Sequence, residues 1–416
     1  MLRSLVAGIL LAFAGSRANI ARTILSCAGI VVGVGSLIAV VTAGDFGQRF
    51  ATAYSEANAG RAATLSVSSW DTEITDVRAF EEDLVRAGGV DVSIYKMVEG
   101  VSMRSGEQGI PDVEIRAVDV SLGDIRRMTM SQGRWFTEAD AESLAPVLVV
   151  NESLAADMED ITRVQIGTDH WMDVRVVGVS SSSALDGGWY TAFLLRAPAS
   201  EELIYGEPVE TSEDGATAPI SIRDPEYSVR IDPSDPAATD PWGEVFTERL
   251  LSASDRWGEV RQDSLMAYRA DYAEEVNQVI GYLSIGLIGI AAITLTTGLL
   301  GVLNVGLVTV RERRRELATY RALGATRFTL FVAVVMESVV VSLVAGVIAL
   351  LGCWALVAAG GAIAASFIEL PPDVPIAIPP TAVLVGLGSA AGVGLLAGVI
   401  PALRALRSSV VAGLRE

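Results

Sequence analysis

Four stretches of the sequence, 23–44, 276–310, 328–367 and 374–403, are almost free of charge and long enough to cross a bilayer. A spanning helix needs about 20 consecutive apolar residues. Glu337 is the only charged residue inside any of the four. The expected spans are 23–44, 276–310, 328–360 and 376–400, with a loop at 361–375. The second is too long for its task. Its 35 residues, at a rise of about 1.5 Å, make about 52 Å of helix against a hydrocarbon core of about 30 Å. The excess is expected to leave the membrane and to continue as helix through 311–316.

Charge orients these helices. Residues 45–277 carry 44 acids against 19 bases, a net −25, whereas the flanks carry 6 acids and 12 bases, a net +6. The flanking bases are Arg3, Arg17 and Arg22, then Arg311, Arg313, Arg314, Arg315, Arg321 and Arg327, then Arg404, Arg407 and Arg415. Bases beside spans stay on the cytoplasmic side. Both termini and the loop at 311–327 are therefore expected in the cytoplasm, and the acidic segment 45–275 outside. Lysine occurs once, at Lys96, against thirty arginines. With the richness in Ala, Gly and Val, this suggests a high-GC bacterial genome, and the spans then lead to the expectation of a bacterial plasma-membrane protein. Both cysteines, Cys27 and Cys353, fall in spans. The external segment must then be held by its core, which about 230 residues can build without disulfides.

Residues 1–22 read as a cytoplasmic amphipathic segment, with Leu2, Leu5, Val6, Ile9, Leu10 and Phe13 at helical spacing. The external segment mixes strands and helices. A strand at 64–68, a helix N-capped by Thr75 with Val77, Phe80, Leu84 and Val85 on one face, and a strand near 98–103 form a β-α-β unit. A second such unit closes the segment, with strands at 227–231 and 259–266 flanking a helix that presents Trp242, Val245, Phe246 and Leu250. Between them lies a β-rich insertion. The expected layout is a membrane-proximal lobe of about 45–110 and 223–275, and a distal lobe of about 111–222. The stretch 207–219 reads as a loop. The fold class is thus an α-helical membrane protein with four transmembrane helices plus an α+β extracytoplasmic domain of two lobes.

Four runs of residues carry a resemblance. The first is Val310-Arg311-Glu312-Arg313-Arg314-Arg315-Glu316-Leu317-Ala318-Thr319-Tyr320-Arg321-Ala322-Leu323-Gly324-Ala325-Thr326-Arg327. The second runs from Arg22 and Thr23 through Gly29 and Gly33 to Val34. The third is Gly133-Arg134-Trp135-Phe136-Thr137-Glu138-Ala139-Asp140, followed by Val149-Val150-Asn151-Glu152 and Val176-Val177-Gly178-Val179. The fourth is Pro401-Ala402 with Arg404-Ala405, and a tail through Val410 to Arg415. Together they resemble the MacB/FtsX-like permeases of type VII ABC transporters, four-span proteins with a large extracytoplasmic domain. The departures are Ala318 where many members have Gly, and Val410 where Pro is usual.

The resemblance implies a cytoplasmic ABC ATPase as partner, with ATP and Mg bound there and no cofactor in this chain. It implies a second permease chain, identical or related, and contact with membrane lipid. The region 311–327 becomes a cytoplasmic coupling element, followed after the fourth span by a cytoplasmic tail at 401–416. The expected ATPase-coupling residues are Arg315, Glu316, Arg321, Ala322, Leu323, Gly324, Ala325 and Thr326. The arginines also read as an anchor to anionic lipid. Glu337 is the intramembrane polar residue, either an inter-helix contact or part of motion transmission.

A P-loop needs Gly-Lys-Ser/Thr, and the only lysine sits between Tyr95 and Met97. The chain is therefore not expected to be an enzyme. His170 is the only histidine and has no ligand-spaced partner, so no metal or catalytic residue is assigned. The acidic external domain could attract a cationic peptide or protein, or could simply be a solvated surface. No nucleic-acid partner is expected. Three functions stay open: export or extraction of a peptide, drug or lipid-linked cargo; mechanical control of an extracellular cell-wall enzyme; and an ATPase-independent receptor or scaffold.

Overall fold

The computed structural model describes residues 20–168, 170–181, 188–205, 220–258, 260–261, 264–364 and 374–407. Most of the expected segment 1–22, the 207–219 loop, most of the loop 361–375 and the 408–416 end of the tail lie outside them.

In chain order, helix α1 (Ile20–Asn58) leads to β1 (Thr64–Ser69), β2 (Glu73–Ile74), α2 (Val77–Arg86) and β3 (Gly89–Met97). Then come β4 (Ser102–Ser105), β5 (Gln108–Ile110), β6 (Val113–Val118), α3 (Leu122–Ile125), β7 (Met130–Gly133) and α4 (Glu138–Ala141). β8 (Val147–Asn151), α5 (Glu152–Asp157), β9 (Val164–Gly167), β10 (Met172–Ser180), β11 (Tyr190–Leu195) and α6 (Glu201–Tyr205) follow. β12 (Ile222–Arg223), β13 (Glu226–Ile231), α7 (Glu244–Leu251) and β14 (Leu265–Arg269) complete the α/β part. The rest is helical: α8 (Ala273–Glu312), α9 (Arg314–Ala322), α10 (Arg327–Ala364) and α11 (Pro380–Arg407). The chain divides into two compact units. One holds residues 1–49, 278–367 and 375–416; the other holds 50–277 and 368–374.

In the α/β unit the strands run β14-β1-β13-β3-β6-β11-β8-β10-β9-β4-β5, with β7 on β10 and a separate β2–β12 pair. β13 is antiparallel to both β1 and β3, and β1 is antiparallel to β14. So β1 and β3 are parallel with β13 between them, and β13 and β14 are parallel with β1 between them. α2 and α7 make the two crossovers, which is the split β-α-β arrangement of ferredoxin-like folds. Phe80 of α2 packs edge-on against Trp257 and Tyr227, with ring centroids 4.8 and 5.5 Å apart, and all three are fully buried.

Three sequence expectations change here. The strand expected at 98–103 is instead Gly89–Met97, because its register is set by distant β13, where Tyr227 lies opposite Ile94. The hairpin β4–β5 leaves the 45–110 lobe and pairs with β9, so it belongs with the insertion. The cap of α2 is Asp76, whose carboxylate accepts the Ala79 N–H at 3.0 Å. Thr75 is occupied elsewhere, its hydroxyl donating to the Trp257 carbonyl at 3.2 Å.

In the other unit, α1, α8, α10 and α11 are each long and apolar enough to cross a membrane. α1 runs beyond the expected 23–44 because charge ends a span without ending a helix: Asp45 and Arg49 pair along it at 3.0 Å. α11 starts at Pro380, a residue suited to the first helical turn. The helices meet through small residues. A methyl group added at Gly33 of α1 would lie 2.8 Å from the Leu295 Cα of α8, and one at Gly298 would lie 2.6 Å from the Gly29 carbonyl oxygen. On α11, Gly394 and Gly398 meet the Val339 and Val335 Cα atoms of α10 in the same way, at 2.6 and 2.9 Å. Lipid is as apolar as leucine, so close backbone contact rather than exclusion from water holds such helices together.

Candidate functional site

The expected coupling residues form an elbow between α8 and α10. The sequence predicts an unbroken helix through 311–316. The structure ends α8 at Glu312 and restarts as α9 at Arg314. Arg313, at φ −94° and ψ 16°, is the joint. Its N–H still donates to the Thr309 carbonyl at 3.0 Å, which completes the last turn of α8.

α9 ends as its sequence dictates. Gly324 has φ +98°, a region closed to most side chains. Its N–H donates to the Arg321 carbonyl at 3.2 Å, and the next N–H, of Ala325, donates to the Tyr320 carbonyl at 3.0 Å. These two bonds make a Schellman motif with Leu323 as the cap. Thr326 then caps α10, its hydroxyl accepting the Thr329 N–H at 3.1 Å. The run Leu323-Gly324-Ala325-Thr326 thus ends one helix and starts the next. Leu323 is left 79% exposed and Phe328 73% exposed, and Arg315 and Ala322 are also exposed. Two large apolar side chains thus flank the turn, Leu323 at the cap of α9 and Phe328 in the first turn of the third candidate span.

Two acids near the elbow converge on one cation. The Arg313 Nε donates to Glu316 Oε2 at 2.9 Å. Its Nη1 donates to both Glu337 carboxylate oxygens, at 3.2 and 3.3 Å. Glu337 is thus the acid end of a contact between α10 and the α8–α9 joint. Arg313 escaped the sequence reading as a site residue. The signal was present: a lone carboxylate in a span calls for a cation. Six arginines between 311 and 327 left its identity open.

The third motif run builds a clamp in the α/β unit. Asp140 is buried and accepts from Arg134 Nη1 at 2.5 Å, Arg134 Nη2 at 3.1 Å, Arg175 Nη2 at 2.8 Å, and the Thr137 N–H and hydroxyl at 3.0 and 2.8 Å. Hydrogen bonds from Arg134 hold its carboxyl well below the usual carboxylate range, against the opposing effect of burial. Gly133 and Gly178 bring β7 and β10 close: a methyl at either would lie 2.3 Å from a carbonyl oxygen of the other strand's segment. Asn151 caps α5 by accepting the Leu154 N–H at 3.0 Å. These residues hold the insertion together. His170 is exposed.

The comparisons with known proteins agree along the whole chain. The model of the MacB-like periplasmic core domain matches residues 23–239, and that of the FtsX-like permease C-terminal region matches 288–410. The chain belongs to the MacB/FtsX-like family of ABC-transporter permeases. Among similar proteins, the macrolide export ATP-binding/permease protein MacB 1/2 of Paracoccus denitrificans is 24% identical, over 100% of this chain and 59% of its own length. This chain therefore spans about three-fifths of that relative. The uncharacterized ABC transporter permease YknZ of Bacillus subtilis is also 24% identical, over 99% of both chains. The crystal structure of the periplasmic region of MacB from Actinobacillus actinomycetemcomitans is 15% identical, covering 53% of this chain and 92% of that one, with a TM-score of 0.36. As a MacB/FtsX-like permease, the chain has its α/β unit outside the cytoplasm, between the first and second of its four membrane helices.

Proposed function

We propose that this permease is the membrane subunit of an ABC export complex, and that a separate cytoplasmic ATPase docks on the elbow and moves the extracytoplasmic domain. The observation that carries the reading is the elbow: a Schellman turn at Gly324 that leaves Leu323 and Phe328 exposed. The match to a relative described as a permease, rather than as an ATP-binding/permease protein, supports this reading. A nucleotide-binding domain closing on its neighbour would press the two elbows of a permease pair together. Helices α1 and α8 each have residues in both compact units, so movement in the bundle has a direct covalent route to the extracytoplasmic domain. The cargo class is a peptide, drug or lipid-linked molecule handled at the outer face.

The test is co-purification of the ATPase with the full-length permease, on variants of equal abundance. Leu323→Asp and Gly324→Val should retain the fold of the bundle, since a Cβ at 324 meets no atom within 4 Å and only the turn is strained. Each should lower ATPase retention by about tenfold, or about 1.4 kcal/mol. Retention at the wild-type level in both variants would return the elbow to a lipid-facing anchor.

A further inference from the structure

The elbow has two joints that can bend. Arg313 sits outside helical geometry between α8 and α9, and Gly324 turns the chain between α9 and α10. A short helix hung between two such joints could swing freely, and a push on it would be lost as rotation. A contact across both joints restricts that freedom, beside the packing that buries Ala318 of α9. The Arg313 guanidinium reaches past its own joint to both oxygens of Glu337, which lies one helical segment beyond Gly324 on α10. Its Nε holds Glu316 of α9 at the same time. The three helices are thus closed into a triangle with Arg313 at one corner, the Gly324 turn at the second and Glu337 at the third.

Resting on the docking reading above, we propose that Arg313 is the positioning residue of the elbow. It fixes the angle of α9 against α10, so that force on α9 reaches the second and third membrane helices together. The chemistry suits arginine. A planar guanidinium presents several donors in a fixed fork, and one nitrogen can serve Glu316 while another spans both oxygens of Glu337. Lysine offers one point charge and cannot hold both acids in a set geometry. Side chains 28% and 30% exposed place the pair in a half-buried setting, where charge attraction is less weakened than in water. The depth of Glu337 fits as well. Two residues on either side of it, Val335 and Val339 lie against Gly398 and Gly394 of α11, so the tether is anchored in the closely packed α10–α11 pair.

The test uses the full chain with Cys27 and Cys353 replaced by alanine, and spin labels at positions 319 and 333. The α9–α10 distance distribution should be narrow in the parent. It should broaden in Arg313→Gln and in Glu337→Gln, and recover in part in Arg313→Lys. In the complex with the co-purified ATPase, both glutamine variants should keep ATPase retention within about twofold. Coupling, read as cargo or domain movement per ATP hydrolysed, should fall about tenfold, or about 1.4 kcal/mol. The double variant should be no worse than either single one, because the two residues act as a pair. An unchanged distance distribution would overturn the tether. A broadened distribution with intact coupling, or single effects that multiply in the double variant, would overturn the transmission role. Loss of ATPase from the parent chain itself would instead overturn the docking reading.

Discussion

The two units of this protein solve the packing problem in opposite ways. The extracytoplasmic domain is filled by large side chains. Phe80, Trp257 and Tyr227 interlock at its centre, and the buried Asp83 beside them is paired: it accepts from Arg86 at 2.7 Å and from the Trp257 indole at 3.1 Å. The membrane unit is filled by absence. At Gly33, Gly298, Gly394 and Gly398 one helix backbone lies where a side chain would be. Water drives the first kind of core, since each ring removed from water contributes in proportion to its area. Lipid provides no such drive, and close contact between backbones takes its place. Removing a side chain should therefore cost most in the first unit, and adding one should cost most in the second.

The largest effect is expected from Phe80→Ala. It removes a ring from a packed aromatic cluster and should destabilise the extracytoplasmic domain by about 3–5 kcal/mol, measured as loss of the tryptophan fluorescence transition of the full chain. The α1–α8 contact should hardly respond. The converse is Gly33→Leu, which inserts a side chain where Leu295 Cα lies 2.8 Å away. Overpacking of this kind costs about 1–3 kcal/mol, and it should lower the melting temperature in detergent. Gly289→Leu on α8 should not, because a Cβ there meets nothing within 4 Å. A fall in stability at Gly289 equal to that at Gly33 would break the comparison.

Asp140→Asn sharpens it from the electrostatic side. Charge-assisted hydrogen bonds contribute about 1.5–3 kcal/mol, so the variant should lose about that much at neutral pH. Because the folded-state carboxyl of Asp140 is held low, this advantage is complete above the unfolded value of about 4. It fades as the solution becomes more acidic than that. Denaturation at pH 7 and pH 3 checks the sign: the gap between wild type and variant should narrow at the lower pH. The smallest effect is at the sheet edge, where the outward Ala267 N–H donates to the Thr247 hydroxyl at 3.0 Å. Thr247→Ala should cost about 1 kcal/mol, seen as faster hydrogen exchange at Ala267.

The sequence made the spans and the elbow legible because both depend on local signals. Apolar length marks a span, and Leu323-Gly324-Ala325-Thr326 writes the end of one helix and the start of the next within four residues. The β-α-β outlines were legible too, since alternation and a helical face are short-range patterns, but the closing strand is Leu265–Arg269 rather than 259–266, and Trp242 and Val245, expected on the helical face, are exposed. What escaped was set at long range. Nothing near residues 102–110 says that their hairpin pairs with 164–167. Nothing near Arg313 distinguishes it from its five neighbouring arginines, since its partner lies 24 positions away. The excess length of the second span was visible, but not the break at Arg313 that divides it.

The seam between the two lobes of the extracytoplasmic domain has a mechanical consequence. β3 and β6 share only three paired positions, from Tyr95 opposite Val118 to Met97 opposite Arg116. On one face of that seam the guanidinium groups of Arg116 and Arg126 both lie over the Tyr95 ring, 4.5 and 3.8 Å from its centroid. On the other, Arg196 grips both oxygens of Asp119 at 2.7 and 2.9 Å and reaches Glu81 and Tyr205. Adjacent residues of a strand face opposite ways, so Ile94 belongs to the core beneath α2 while Tyr95 packs with the second core of the insertion. A short pairing braced on both faces favours rigidity, so the two lobes are expected to swing as one body; a broad distribution of distances between spin labels on β1 and β10 would show the seam bending instead.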